Sequence, residues 1–263
     1  MDLGLKDRVA LVAASSQGLG KAAAMALARE GAKLTLCARR ADVIEKVAEE
    51  IRQNTGVEVL ARAVDVTDPA AVSKLVAETV ERFARLDICV TNAGGPPSKS
   101  FAETSLADWG AAVGLNLISV IALAREVLPV MQKQNWGRLL TITSVSVKQP
   151  VDGLVLSNSV RAAVSGLVKT LANEYGKYNV TVNNICPGYT RTERLTDLAT
   201  RAAGNEALTR EEIEQRWASQ VPLRRLGEAE EFANVVTFLA SERASYVTGT
   251  SIAVDGGLIK GIY

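Results

Sequence analysis

Ala13-Ala14-Ser15-Ser16-Gln17-Gly18-Leu19-Gly20 joins an apolar run, Val9–Ala13, to a helix-like stretch, Gly20–Glu30. The run has the length and composition of a buried strand. Glycines at 18 and 20 let a backbone approach a phosphate closely, and the helix that follows offers free N–H groups and a positive dipole end. Ser15 and Ser16 can add hydroxyl donors, so Ser15, Ser16, Gly18, Leu19 and Gly20 form the candidate phosphate-facing set. A glycine pair before a helix is common in α/β turns, and the rest of the chain has to carry the reading.

Outward from this turn the same rhythm continues. Strand-like runs at Lys33–Cys37, Glu58–Ala63, Ile88–Thr91, Leu139–Thr143, Thr181–Ile185 and Ile252–Val254 alternate with helix-like stretches. Those stretches are Asp42–Gln53, Pro69–Phe83, Leu106–Gln134, Ser157–Tyr175 and Glu228–Leu239. The alternation predicts right-handed crossovers and a doubly wound, seven-stranded parallel sheet with helices on both faces, a single-domain α/β Rossmann fold. Ligands on such sheets bind beyond the carboxyl ends of the strands. One stretch breaks the rhythm: Thr192–Pro222 is long, charged and rich in Ala, Glu and Arg, with Arg210–Ser219 its better helix. A substrate lid at about 192–222 is expected, with a solvated insertion as the alternative.

Composition narrows the function classes. With 263 residues, 48% hydrophobic and 22% charged, the chain suits one large domain. A formal net charge of +1 gives no global field toward nucleic acid or a membrane surface. Absence of an uninterrupted apolar run of about 18 residues argues against a membrane span, and the N-terminal stretch lacks the blocks of a secretion signal. A cytoplasmic protein is expected. Cys37, Cys89 and Cys186 lie in or beside apolar runs and read as small buried hydrophobes. The chain has no histidine, which excludes Ser-His-Asp and Cys-His catalysis and disfavours a catalytic transition metal.

Further motifs add to the glycine turn. Asp65-Val66 follows the third strand, and Thr91-Asn92-Ala93-Gly94 closes the fourth. Pro187-Gly188 closes the sixth, with Thr192 shortly after. Near the end come Arg225-Leu226-Gly227-Glu228, Ser245-Tyr246-Val247-Thr248-Gly249 and Val254-Asp255-Gly256-Gly257. In this order, from about Leu5 to Gly257, the chain resembles the short-chain dehydrogenase/reductase family, and within it the 3-oxoacyl-[acyl-carrier-protein] reductases. The resemblance implies that Asp65 and Val66 hold the adenine, that Asn92, Ala93 and Gly94 border the nucleotide, and that Pro187, Gly188 and Thr192 lie at the nicotinamide. It also implies a homotetramer paired through the fourth and fifth helices, with Val254–Tyr263 near another interface. Ala13 and Ala14 depart from the family's Thr and first Gly; a Cβ at 14 is costly if the backbone there has positive φ.

Cofactor choice turns on the end of the second strand. An acid there would bind a ribose 2′-hydroxyl and repel a 2′-phosphate. The chain has Ala38-Arg39-Arg40 instead, and guanidinium groups bond phosphate bidentately, which favours NADP(H) over NAD(H).

The catalytic end departs further. The resemblance assigns Asn116 to a water relay and Ser144 to the carbonyl oxygen. Where the family has Tyr-x-x-x-Lys, this chain has Ser157-Asn158-Ser159-Val160-Arg161, in a register fixed by Ala162 to Lys169. An aliphatic hydroxyl is a far poorer acid than a phenol of pKa about 10, and an arginine cannot relay a proton. Arg161 can still bind ribose hydroxyls or stabilise an alkoxide. Lys148 and Tyr189 are the candidate replacements, against readings as a surface lysine and a packing aromatic. Three functions stay open: an NADP(H)-dependent oxidoreductase of carbonyl, alcohol or acyl-thioester substrates with a rebuilt proton donor, a catalytically silent NADP(H)-binding sensor or assembly protein, and an isomerase or lyase using Arg161. Arg191, Arg194, Arg201 and Arg210 in the lid read as solvated faces in preference to an acidic-group site.

Overall fold

Side chains along Val9–Ala13, strand β1, alternate between two cores: Val9, Leu11 and Ala13 join one, Ala10 and Val12 the other. This period of two, with both sets fully buried, is the mark of a strand covered on both faces. The same division runs through the sheet. One layer packs Leu34, Leu36, Ile88, Val90 and Leu140 against Ala23, Leu27, Ile44, Ile51, Phe232 and Val236. The other packs Cys37, Cys89, Leu139 and Val182 against Val72, Leu75, Leu123, Val127, Val164 and Val168. Each fully buried Leu, Ile or Val contributes roughly 1.5–3 kcal/mol.

The coordinates are a computed structural model in which residues 1–262 are described. Tyr263, the last residue of the segment expected near an interface, lies outside them. The strands are β1 (Val9–Ala13), β2 (Lys33–Ala38), β3 (Val59–Ala63), β4 (Ile88–Thr91), β5 (Gly137–Ile142), β6 (Val180–Pro187) and β7 (Ser251–Val254). They form one sheet of seven strands in the order β3-β2-β1-β4-β5-β6-β7, every pair parallel. Between β1 and β4 the order reverses, which is the switch point where such sheets hold ligands.

Helices α1 (Gly18–Arg29), α2 (Ala41–Thr55), α3 (Pro69–Phe83), α4 (Leu106–Val113), α5 (Ser119–Gln134) and α6 (Val155–Tyr175) lie close to the expected spans. Their ends carry local signals. Asp68 accepts hydrogen bonds from the N–H groups of Ala70 and Ala71 with Pro69 in the first turn, and Gly56 ends α2 at φ 74°. The expected long helix Leu106–Gln134 is interrupted by a π turn, Gly114–Ile118, between α4 and α5. That stretch is apolar and long enough to cross a membrane by composition alone, yet α5 buries Leu123, Val127 and Met131 in the second core. Past β6 come α7 (Glu193–Glu206) and α8 (Arg210–Gln220), two helices in the expected lid region, which pack on each other through Ala199, Ala203 and Ile213. Helix α9 (Ala229–Ala240) returns to the first core before β7.

Candidate active site

A cleft of about 1800 Å³ opens beyond the carboxyl ends of the strands, lined at one side by Ser16, Gly18 and Leu19 and at the other by Ser144, Arg161 and Tyr189. Its volume exceeds the usual range for one small molecule and suits a dinucleotide with a second ligand beside it.

At the β1 end, backbone geometry makes the site. Gly18 takes φ 53°, and a Cβ on Gly20 would stand 2.4 Å from the Ala14 carbonyl oxygen, so both positions require glycine. Ala14 itself sits at φ 47°, the left-handed region that costs an L-residue about 1–2 kcal/mol. The departure from glycine at 14 therefore carries a real strain. Gln17 precedes α1 without a side-chain cap, which leaves the helix's first N–H groups open to an anion. The Glu193 carboxylate already stands at this point, 3.4 Å from where a Gly18 Cβ would be. Ser16 and Leu19 line the cleft, but Ser15 does not. Its hydroxyl turns inward to donate to the Val12 carbonyl at 3.0 Å, so Ser15 locks the turn and offers no donor to a phosphate.

Asn92, Ala93 and Gly94 line the next part of the cleft, beyond β4. Asn92 Nδ2 donates to the Ala14 carbonyl at 3.3 Å, tying β4 to the glycine turn. Asp65 and Val66 line the cleft beyond β3. Hydrogen bonds from the Thr67 N–H and hydroxyl to Asp65 Oδ1 hold that carboxyl below its ordinary pKa, and Oδ2 stays available. Arg39 and Arg40 also line this end, and neither forms an ion pair among the described residues.

The β5 end is built from side-chain tips. Ser144 lines the cleft, and its Oγ accepts the Ser146 N–H at 3.1 Å, starting a short turn over Val145–Val147. Arg161 is 7% exposed and enters from α6. Its Nη1 donates to the carbonyls of Ile142 at 3.1 Å and Thr143 at 2.8 Å. Nε and Nη2 make no hydrogen bond among the described residues, and the side chain lines the cleft. Burial, then the nearby Arg194, push the Arg161 guanidinium down to about 10, so it stays charged at neutral pH.

Several expected residues lie elsewhere. Ser157 is buried, and its hydroxyl sits 3.3 Å from the Ser146 hydroxyl, outside the cleft lining. A serine is too short to reach the cleft from this point on α6. Lys148 is exposed at the end of the Val145–Val147 turn, between the cleft-lining Val145 and Gln149 but not itself in the lining. Tyr189 does line the cleft, but its ring stacks on Trp217 of α8 at 5.0 Å and 5°. Burial raises the phenol's pKa, the wrong direction for an acid tuned toward neutrality. Asn116 sits in the π turn and donates from Nδ2 to the Gly94 carbonyl at 2.9 Å, while its buried Oδ1 lacks a partner. π turns concentrate at functional sites. Pro187 and Gly188 line the cleft beyond β6, and Gly188 is required by Asp255, whose Cβ would lie 2.7 Å from an added Cβ. Thr192 caps α7 by accepting the Leu195 N–H, which leaves its methyl group toward Gly18.

Sequence reasoning missed Glu193 and Trp217. Glu193 had a local signal, an acid in the first turn of a helix begun by Thr192. Trp217 had none, because its stacking partner is distant in the chain.

Comparison with known proteins agrees with this geometry. A family model described as enoyl-(acyl carrier protein) reductase matches residues 13–259. The 3-oxoacyl-[acyl-carrier-protein] reductase of Aquifex aeolicus is 35% identical over 258 residues, 98% of this chain and 100% of its own. The 7alpha-hydroxysteroid dehydrogenase of Escherichia coli K12 is 34% identical, covering 98% and 97%. Among solved structures, L-sorbose reductase from Gluconobacter frateurii, complexed with NADPH and L-sorbose, matches at TM-score 0.95 and 33% identity over 100% of both chains. With its strand order, its glycine turn and matches of this extent, the chain belongs to the short-chain dehydrogenase/reductase family and resembles its 3-oxoacyl-[acyl-carrier-protein] reductases.

Proposed function

We propose that this protein is an oxidoreductase of carbonyl or alcohol substrates that uses NADP(H). The observation that carries the cofactor choice is the pair Arg39 and Arg40 at the end of β2, on the cleft and in no ion pair among the described residues. Two guanidinium groups in this place suit a 2′-phosphate, and Ala38 and Arg39 stand at the end of β2 in place of an acid that would repel one. L-sorbose reductase, similar along its whole length, was solved with NADPH. The open N-terminus of α1 would take the pyrophosphate, with Glu193 giving way, and Asp65 Oδ2 would accept from the adenine amine.

When bound, the nicotinamide supplies or accepts a hydride. Ser144 donates its hydroxyl hydrogen to the substrate oxygen: Oγ accepts the Ser146 N–H, and its hydrogen is committed to no acceptor among the described residues. Arg161, fixed to the Ile142 and Thr143 carbonyls next to Ser144, presents its remaining N–H groups to the negative charge that develops on that oxygen. Ser157 and Arg161 stand where the family resemblance places a tyrosine and a lysine. The proton therefore comes from water, without the 10²–10⁴-fold gain of a positioned acid.

A second reading keeps one observation in its favour. Ser157 is spent on Ser146 and Arg161 Nη1 on backbone carbonyls, as in a protein that binds the nucleotide without turning over. One experiment separates the two: NADPH and NADH titrations by fluorescence, then a panel of ketones and 3-oxoacyl thioesters. Tighter binding of NADPH by about tenfold or more, followed by decay with one substrate, supports the reductase. Binding without decay supports the silent protein, and binding of neither nucleotide overturns both.

A further inference from the structure

Six arginines, five in or just before the 192–222 region and one on the cleft floor, divide into two sets. Arg191, Arg210 and Arg216 pair with Glu228, Glu211 and Glu206, and these carboxylates neutralise them. Arg194 and Arg201 line the cleft and form no ion pair among the described residues. Arg161, on the cleft floor, has none either.

Arg194 and Arg161 line the same cleft, one from beyond β4 and the other from the end of β5. Arg194 is half-buried, with Nη2 donating to the Pro96 carbonyl at 2.8 Å and its guanidinium packed over Gly95. Arg161 is held at the end of β5 by its two backbone carbonyls. The two cations are close enough that Arg194 lowers the pKa of Arg161, and Arg201 does the same to Arg194. Asp197 acts on Arg194 from beyond ion-pair distance.

Burying a charge without a partner is costly, and placing a second like charge beside it costs more. An oxyanion between them removes both costs. The cofactor's phosphates are poorly placed to be that anion. They are assigned to the α1 N-terminus beyond β1; Arg161 stands two strands away at β5, about 10 Å across the sheet, and Arg194, although it follows the Glu193 that lies against Gly18, turns its guanidinium to Gly95 and Pro96 beyond β4. Beyond β5 lies Ser144, the group assigned to the substrate oxygen.

We propose that Arg194 and Arg161 form a recognition site for a carboxylate on the substrate, so that the compound reduced is an oxo acid. Arg161 has three N–H groups beyond those of Nη1, enough for the reacting oxygen and one carboxylate oxygen, and the fork of Arg194 meets the other. The proposal rests on the reductase reading for the word substrate, but the anion site is testable without turnover.

The test is binding of 2-oxobutyrate, acetoacetate and levulinate against their methyl esters, by calorimetry and thermal shift, with and without NADP⁺. At least one acid is expected to bind tenfold or more tighter than its ester, roughly the worth of one charge-assisted bond. Arg194→Met should bring acid and ester within about threefold of each other, and Arg210→Met, outside the cleft, should leave the preference intact. If Arg194→Met fails to fold, Arg194→Lys gives the same reading through loss of the bidentate geometry and a partial drop in preference. Equal binding of acids and esters, or weak binding of all of them beside tight NADPH, overturns the carboxylate site and leaves the nucleotide reading standing. Absence of NADPH binding overturns that reading instead, while the acid–ester difference on the protein alone still decides the anion site.

Discussion

At the β1 end of the cleft the decisive positions are backbone: Gly18 at φ 53°, Gly20 against the Ala14 carbonyl, and the uncapped first turn of α1. At the β5 end they are the tips of side chains: Ser144, Ser157, Arg161 and the Tyr189–Trp217 stack. Backbone sites are written into sequence as glycines at fixed spacing, since few residues can replace glycine there. Side-chain sites are written as residue types, and a type does not say which way its tip points. One end of the molecule can therefore keep its ligand while the other changes its chemistry.

The largest effect should come from closing the backbone end. Gly20→Ala puts a Cβ against the Ala14 carbonyl, which cannot move without β1. NADPH affinity by fluorescence titration is expected to fall by roughly 100-fold, with stability lowered by about 1–3 kcal/mol. Unchanged affinity would mean that the turn is not the phosphate site.

Next comes a contrast within the side-chain end. Arg161→Met should lower turnover by about 10²-fold, the scale of one lost oxyanion donor, while NADPH affinity changes little. Ser157→Ala and Tyr189→Phe should each change turnover by less than about threefold, because one hydroxyl is spent on Ser146 and the other ring stays stacked on Trp217. A sharp loss in either variant would return the proton donor to that residue.

A smaller effect runs the other way. Ala14→Gly relieves the strain at φ 47° and should raise the melting temperature by about 2–4 °C, near 1 kcal/mol for a chain of this size. A lower melting temperature would show that the entropy cost of glycine exceeds the strain relieved.

The smallest effect should treat both ends alike. Asp108 is held at about 2 by the Ser105 N–H and hydroxyl and by Lys99, and Glu231 at about 2 by Arg225 and the Glu228 N–H. Both folded values lie below the ordinary 3.8 and 4.5, so their contribution to stability is present above about pH 4.5 and is lost as pH falls toward 2. Melting temperature should decline over that window in the wild type and in Ala14→Gly by the same amount. A decline confined to one of the two proteins would place the acid-sensitive groups in the cleft.

Legibility followed the same division. All seven strands, with β1 and β4 to the residue, were readable because apolar runs and glycine turns are local patterns. In the 192–222 region the second helix was readable, Arg210–Ser219 against Arg210–Gln220, while the first, Glu193–Glu206, had no readable bounds. The π turn at Gly114–Ile118 left no signal in an unbroken helical period. Ser15 and Ser16 are adjacent and identical, yet one hydroxyl points into the fold and its neighbour lines the cleft. The lid arginines looked alike in sequence. Only the carboxylates brought to some of them by α8 and α9 tell the neutralised ones from Arg194.

The face-to-face contact of Tyr189 with Trp217 gives the molecule a built-in optical gauge. Trp136 is clamped between Arg8 and Arg138 at 3.8 and 4.2 Å, and Trp109 is tethered through Nε1 to Thr104. Trp217 lines the cleft and the other two indoles do not, so it is the one whose surroundings a bound ligand would change. Its emission colour and lifetime would thus follow occupancy of the cleft in an unlabelled protein and in real time.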